Sequence, residues 1–282
     1  MAPLFTADKF NFFGYSAPTP KPNVTATGGT ISTPGDGYRY HVITSSGSFA
    51  IADNPGNYVF EAILFGGGGG GGNGGDAYGG AGGSGGGVWI GGPGNLTLPT
   101  ATHPITIGNG GTANQNGGDT TLSWPSTIIA EGGGLGGSRW QTPTQASSGG
   151  SGGGAGYSGG ANNGTQPTQS NPAPGAYSVS KIGGNGHPSH PGYGGSANPT
   201  NDRDMNWNVG VLEESPLGNP MPTKGAIGRG GESTRDGGPA QDHWTPTMPG
   251  GAYGTGAPGA GGGGGTGGAG VVVVRYEYFP NA

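Results

Sequence analysis

The sequence predicts an all-β, partly irregular fold. Short antiparallel strands combine with a bundle of glycine-rich, polyproline-II-type helices, with little or no α-helix. Three observations lead there. Glycine supplies 73 of 282 residues and falls in blocks, at 66–72, 79–87 and 261–270. Each block begins or ends beside a strand-forming run: Tyr58 to Phe65 leads into the first, and the last leads into Val271 to Tyr278. Nothing carries the 3.6-residue apolar period of a long helix, and residues 205–214 reach a turn or two at most.

Composition alone points the other way. Hydrophobic residues make up 29%, and glycine plus proline exceed a third of the chain, a mixture usual in disordered segments. Charge, however, is only 9%, below the level typical of disordered chains. The 8 Phe, 11 Tyr and 5 Trp are spread along the chain. Ordering glycine is costly, because fixing one backbone residue takes roughly 1–2 kcal/mol and glycine has the most freedom to lose. It has no side chain to bury in return. A glycine block therefore stays ordered only through backbone hydrogen bonds and close packing. Polyproline-II-type helices side by side supply both, since such a helix has no internal hydrogen bonds and turns its amides outward. Collagen is excluded because the Gly-X-Y register is soon lost after position 85.

Element by element, residues 1–35 read as a separate unit. Phe5, Phe10, Phe12, Phe13 and Tyr15 crowd into a short aromatic stretch, and residues 17–22 form a stiff Pro-rich spacer. The plain reading is a segment that folds back on the main domain, and the sharper one, favoured by the stiff spacer, is a docking segment; residues 36–282 are the glycine-rich domain. Residues 38–44 and 47–51 read as two strands joined by a Ser-Ser-Gly turn. A third strand spans 58–65, and residues 88–90 close the next block. Residues 96–98 and 104–107 are short strands, 108–111 and 117–119 are turns or short glycine helices, and 120–124 with 128–130 form a strand pair. From 138 to 250 the glycine tracts alternate with longer polar inserts rich in Pro, Asn and aromatics, expected as loops at the ends of the body.

Few catalytic or metal chemistries fit. The absence of cysteine excludes disulfides and thiolate metal sites. The five histidines lack metal-site spacing; His187 and His190 stand three apart in a Pro/Gly-rich loop without a nearby carboxylate. Asp202, Asp204, Glu213 and Glu214 share one loop region, where the ordinary role of such carboxylates is to solvate it; the sharper reading is a glycosidase pair or a calcium loop at 201–204. The many Gly-x-Gly-x-x-Gly matches lack a following amphipathic helix, so nucleotide binding is not expected. The net charge of −5 without a basic patch argues against nucleic acid. No apolar stretch reaches the ~20 residues of a membrane span. Met1 is followed by no basic region and apolar run, so no secretory signal is expected. No cofactor and no enzyme activity are expected. Loop aromatics are the more specific signal, because rigid rings on surface loops suit recognition. Trp140, Tyr157, Tyr177, Tyr193, Trp207 and Trp244 are the candidate receptor-binding residues, with Trp207 and Trp244 foremost; the plainer alternative is that some cap the glycine layer.

These features together resemble the glycine-rich domain of bacteriophage tail-fibre proteins. The carrying residues are the run from His41 through Thr44, Ser45, Ser46 and Gly47 to Phe49, then the strand into block 66–72. Residues 105–111 and the closing run from Gly262 to Tyr276 complete the set. In layout the chain is also similar to the glycine-rich tip adhesins of T-even-like phages. The resemblance implies a virion location, assembly in the host cytoplasm and action outside the cell. It implies a tail-fibre or tail-tip adhesin that docks to another virion protein through its N-terminus and binds a host surface glycan or outer-membrane protein. A homotrimer would supply part of the stability that a sparse core lacks. The alternatives are a capsid decoration, head-fibre or collar protein and, behind it, a loop-based depolymerase.

Overall fold

In the computed structural model, described residues are 21–35, 37–72, 82, 85–90, 98–124, 126–138, 145–154, 156, 176–179 and 265–280. They contain no helix. Their strands are β1 (Thr25–Thr27), β2 (Thr30–Ser32), β3 (Tyr38–Ile43), β4 (Gly47–Asp53), β5 (Phe60–Phe65), β6 (Gly87–Ile90), β7 (Thr102–Thr106), β8 (Thr120–Trp124), β9 (Ser126–Ala130), β10 (Ala176–Val179) and β11 (Val271–Glu277). They form two sheets, ordered β1-β4-β7-β8-β9 and β10-β6-β5-β11-β3-β2, and every pairing is antiparallel.

The sheets pack face to face. Alternate residues of β4, β8, β5 and β11 point into a shared core: Phe49 and Ile51, Leu122 and Trp124, Phe60 and Leu64, and Val272, Val274 and Tyr276. Phe49 is its hub, stacked on Trp124 and edge-on to Phe60. Period-2 alternation is clean in the smaller sheet, whose β7 reads exposed–buried–exposed–buried–exposed and whose outer face is rich in Thr and Ser. In the larger sheet the outward-turned Tyr40, Val42, Ile63, Phe65, Val271 and Val273 are buried as well. That explains why β5 and β11 read as unbroken apolar runs.

Several sequence expectations need redrawing. The runs at 38–44 and 47–51 are strands, but they sit in different sheets, linked by residues 44–46, rather than forming a hairpin. β1 and β2 fall within 1–35 and pair with β4 and β3, so the sandwich begins before the boundary drawn at residue 35. Of the strand expected at 96–98, only Leu98 is described, as a buried residue outside the strands.

One end of the sandwich grows into glycine. β5, β7 and β9 run out into residues 66–72, 108–114 and 131–138; residues 85–86, 115–119 and 265–270 run in to β6, β8 and β11. The tract 66–72 stands at the centre, and its hydrogen bonds recur every three residues. Gly67 and Gly70 donate to Gly118 and Gln115, and Gly68 and Gly71 donate to Gly268 and Gly265, at 2.8–3.0 Å. In return Gly68 and Gly71 accept from Gly111 and Asn114, while Gly67 and Gly70 accept from Gly133 and Gly136, at 2.8–3.1 Å. A step of three along one chain meets a step of three along each neighbour, which is the three-residue turn of polyproline II. Neighbours whose numbers rise together with the central tract are parallel to it and follow strands that leave the sandwich. Those whose numbers fall are antiparallel and feed strands that return. The bundle is thus the sandwich continued without side chains, roughly 20 Å long for seven residues at 3.1 Å each.

Candidate functional site

Close approach dictates glycine in the central tract. A Cβ placed on Gly66, Gly67, Gly69, Gly70 or Gly72 would come within 3.0 Å of the backbone carbonyl of Glu131, Asn109, Gly134, Thr112 or Gly137, respectively. The surrounding tracts carry side chains three residues apart at Asn109 and Thr112, Leu135 and Ser138, and Thr266 and Ala269. Asn109, Thr112 and Thr266 are exposed, whereas Leu135 and Ser138 are buried. A further layer, residues 149–154, lies on 132–137 with the same step, Gly134 donating to Ser151 and Gly137 to Gly154, both at 2.9 Å.

Polar side chains fasten the tracts to the strands and to one another. Thr120 Oγ1 accepts from the Gly108 amide at 3.0 Å, Asp119 from Gly132 at 2.8 Å, and Ser46 Oγ from Ile107 at 2.9 Å. At the far tip, Asn116 Oδ1 accepts from the Leu135 amide at 3.0 Å and from Ser147, and Ser138 donates to Asn114 at 2.6 Å.

The two ends of the molecule differ. Except for β10, which pairs with β6, the described residues next to the inserts meet at the glycine tip. Gly71 bonds Gly265, Gly137 bonds Gly154, and a Cβ on Gly72 or Gly156 would meet Gly137. The chain enters at the opposite end, the base. There the Asn23 side-chain amide donates to the Phe279 carbonyl and accepts from its amide, both at 2.8 Å. Lys21 stands over the Phe279 ring at 5.1 Å and Tyr58 packs against it. Arg39 lies 3.8 Å from the Tyr278 ring centre, and Arg275 pairs with Glu61 while facing Tyr38.

Of the sequence candidates, only Tyr177 is described, by its backbone: it lies in β10 opposite Trp89 of β6. Trp140, Tyr157, Tyr193, Trp207 and Trp244 lie outside the described residues, as do Phe5, Phe10, Phe12, Phe13 and Tyr15, His187 and His190, and Asp202, Asp204, Glu213 and Glu214. Among the described residues no cluster of three His, Cys, Asp or Glu side chains could hold a metal.

The motif residues have internal work. His41 and Phe49 are fully buried and meet edge to face at 5.0 Å. Tyr276, from the closing Arg-Tyr pair, hydrogen-bonds His41 at 3.1 Å, and Arg275 bonds Glu61. The first and last motifs thus join β3 to β11 in the core. The sequence pattern of the glycine-rich domain family matches residues 44–277.

The chain belongs to the glycine-rich domain family.

The matched residues begin after β3, although β1, β2 and β3 complete the two sheets of this glycine-rich domain. No curated protein matches the chain in sequence.

Proposed function

We propose that this glycine-rich domain protein is a non-enzymatic bacteriophage virion component, a tail-fibre or tail-tip adhesin that meets the host cell surface. The observation that carries this reading is the two-ended layout. The chain enters at the base beside Asn23, Lys21 and Phe279. Residues that flank the inserts after 72 and 138, and before 265, meet at the opposite tip, beyond the glycine bundle, while Ala176–Val179 returns one insert to the larger sheet. An adhesin needs this separation, with attachment to the particle at one end and variable recognition loops at the other, on a scaffold that does not bend. In this reading Phe5, Phe10, Phe12, Phe13 and Tyr15 dock the chain to another virion protein. The inserts bearing Trp140, Tyr157, Trp207 and Trp244 meet a glycan or an outer-membrane protein.

Immunogold imaging of the particles that carry the chain tests this directly. Label at the tail tip or along tail fibres is the expected result. Label over the head shell would instead make the chain a capsid decoration, and particles free of label would overturn a virion role altogether.

A further inference from the structure

We propose that His41 is an acid-sensitive latch that holds the β1–β2 segment, residues 25–32, on the sandwich. The segment is a weak element placed at a seam. β1 and β2 have three residues each and form the edges of different sheets, so their turn bridges the two sheets on that side. The turn is Gly28-Gly29, with φ of 125° and 62°, values that glycine adopts freely. His41 reaches that turn from β3, because its Nδ1 lies 2.8 Å from the Gly28 carbonyl oxygen. A carbonyl only accepts, so Nδ1 carries the proton. Nε2 is then the acceptor, and the Tyr276 hydroxyl donates to it across 3.1 Å. Burial holds the Tyr276 phenol above its ordinary value of 10.0, so it remains a donor. This chain of bonds has room for only one proton on the imidazole.

A second proton would convert Nε2 into a donor aimed at the Tyr276 hydroxyl, which donates its own proton to that nitrogen in the neutral relay. It would also place a cation in a fully buried site. The groups around the ring offer no compensation. β3 contributes Arg39, a like charge; β11 contributes Tyr276, with Tyr278 beyond it; β4 contributes the Phe49 ring; the β1–β2 turn contributes backbone alone. His103 is set apart from His41 by the stacked Phe49 and Trp124. Glu61 pairs with Arg275 on the outer face of the sheet. Burial, set against the Gly28 hydrogen bond and reinforced by Arg39, lowers the His41 pKa below the ordinary 6.5. The opened state therefore takes up the proton first. Closure is fully favoured above about 6.5 and weakens as pH falls from there toward the folded value. The Gly28 contact is the part of the relay that can break while the paired strands β3 and β11 stay together.

Hydrogen exchange of the full chain, read by mass spectrometry at pH 7.5 and 5.0 and corrected for intrinsic exchange chemistry, tests the latch. Residues 25–32 are expected to exchange faster at pH 5.0, by up to about tenfold for each pH unit spent between the two pKa values. Residues 271–277 stay protected. In His41→Gln, whose amide bonds in both directions but does not titrate, the rise disappears. In Tyr276→Phe, which removes the donor to Nε2 and so brings the folded value closer to 6.5, the rise at pH 5.0 shrinks. An unchanged response in the wild-type chain overturns the latch. So does an equal rise in residues 271–277, a rise that persists in His41→Gln, or an undiminished rise in Tyr276→Phe.

Discussion

Residues 66–72 and 265–270 are neighbours of nearly the same composition, hydrogen-bonded to each other through Gly68–Gly268 and Gly71–Gly265. One contains only glycine, whereas the other carries Thr266 and Ala269. The difference is position. The central tract bonds to chains on all sides, and a Cβ on most of its residues would strike a carbonyl. The flanking tract turns one face in three away from it, and Thr266 is exposed there. Glycine is therefore required here by the number of backbones that press against a residue. Hydrogen bonds worth roughly 0.5–1.5 kcal/mol net offset an ordering cost of roughly 1–2 kcal/mol per residue, so such a bundle stands only when nearly every amide is paired.

Substitutions break or sharpen this contrast, and the largest effect is expected at the centre. In Gly69→Ala the methyl group meets the Gly134 carbonyl, which is backbone held by its own neighbours. The expected loss is about 3 kcal/mol or above, at the top of the usual overpacking range, read as a fall in the urea midpoint. A smaller effect belongs to the junction between strand and bundle. Thr120→Val keeps the shape of a fully buried side chain but leaves the Gly108 amide without its acceptor. The expected loss is about 1–3 kcal/mol, measured in the same titration. The smallest effect falls on the outer face: Thr266→Ala should stay within about 0.5 kcal/mol. A loss at Thr266 equal to that at Gly69 would erase the distinction between centre and periphery.

Much of the fold is legible in the sequence where a strand and a glycine block meet. β5, β6 and β11 stand out because each apolar run abuts glycine, and β8 and β9 as two short runs on either side of Pro125. β1 and β2 do not, because three residues such as Thr25–Thr27 carry no period of their own and owe their order to β4 and β3. β10 is hidden likewise: Ala176–Val179 lies within a polar insert, and its pairing with β6 makes it a strand. The alternation in β3 and β4 marks both as strands, but it is blind to which sheet each joins. The glycine tracts held a signal that composition overlooks. Asn109 and Thr112, or Thr266 and Ala269, recur at a spacing of three and mark the faces turned from the centre. The candidate site was less legible, since loop aromatics such as Trp207 and Trp244 have no periodicity to fix their surroundings. The motif residues His41, Ser46 and Tyr276 belong instead to the core and its seams.

Residues 66–72 form a hydrogen-bonded polyproline-II core rather than a flexible linker. Residue-by-residue amide hydrogen exchange by NMR tests it most directly. The Gly67, Gly68, Gly70 and Gly71 amides, each bonded to a neighbouring tract, should exchange as slowly as those of Val272 and Val274 in β11. Exchange of those four at the rate of an unstructured glycine peptide, with β11 still protected, would contradict the account.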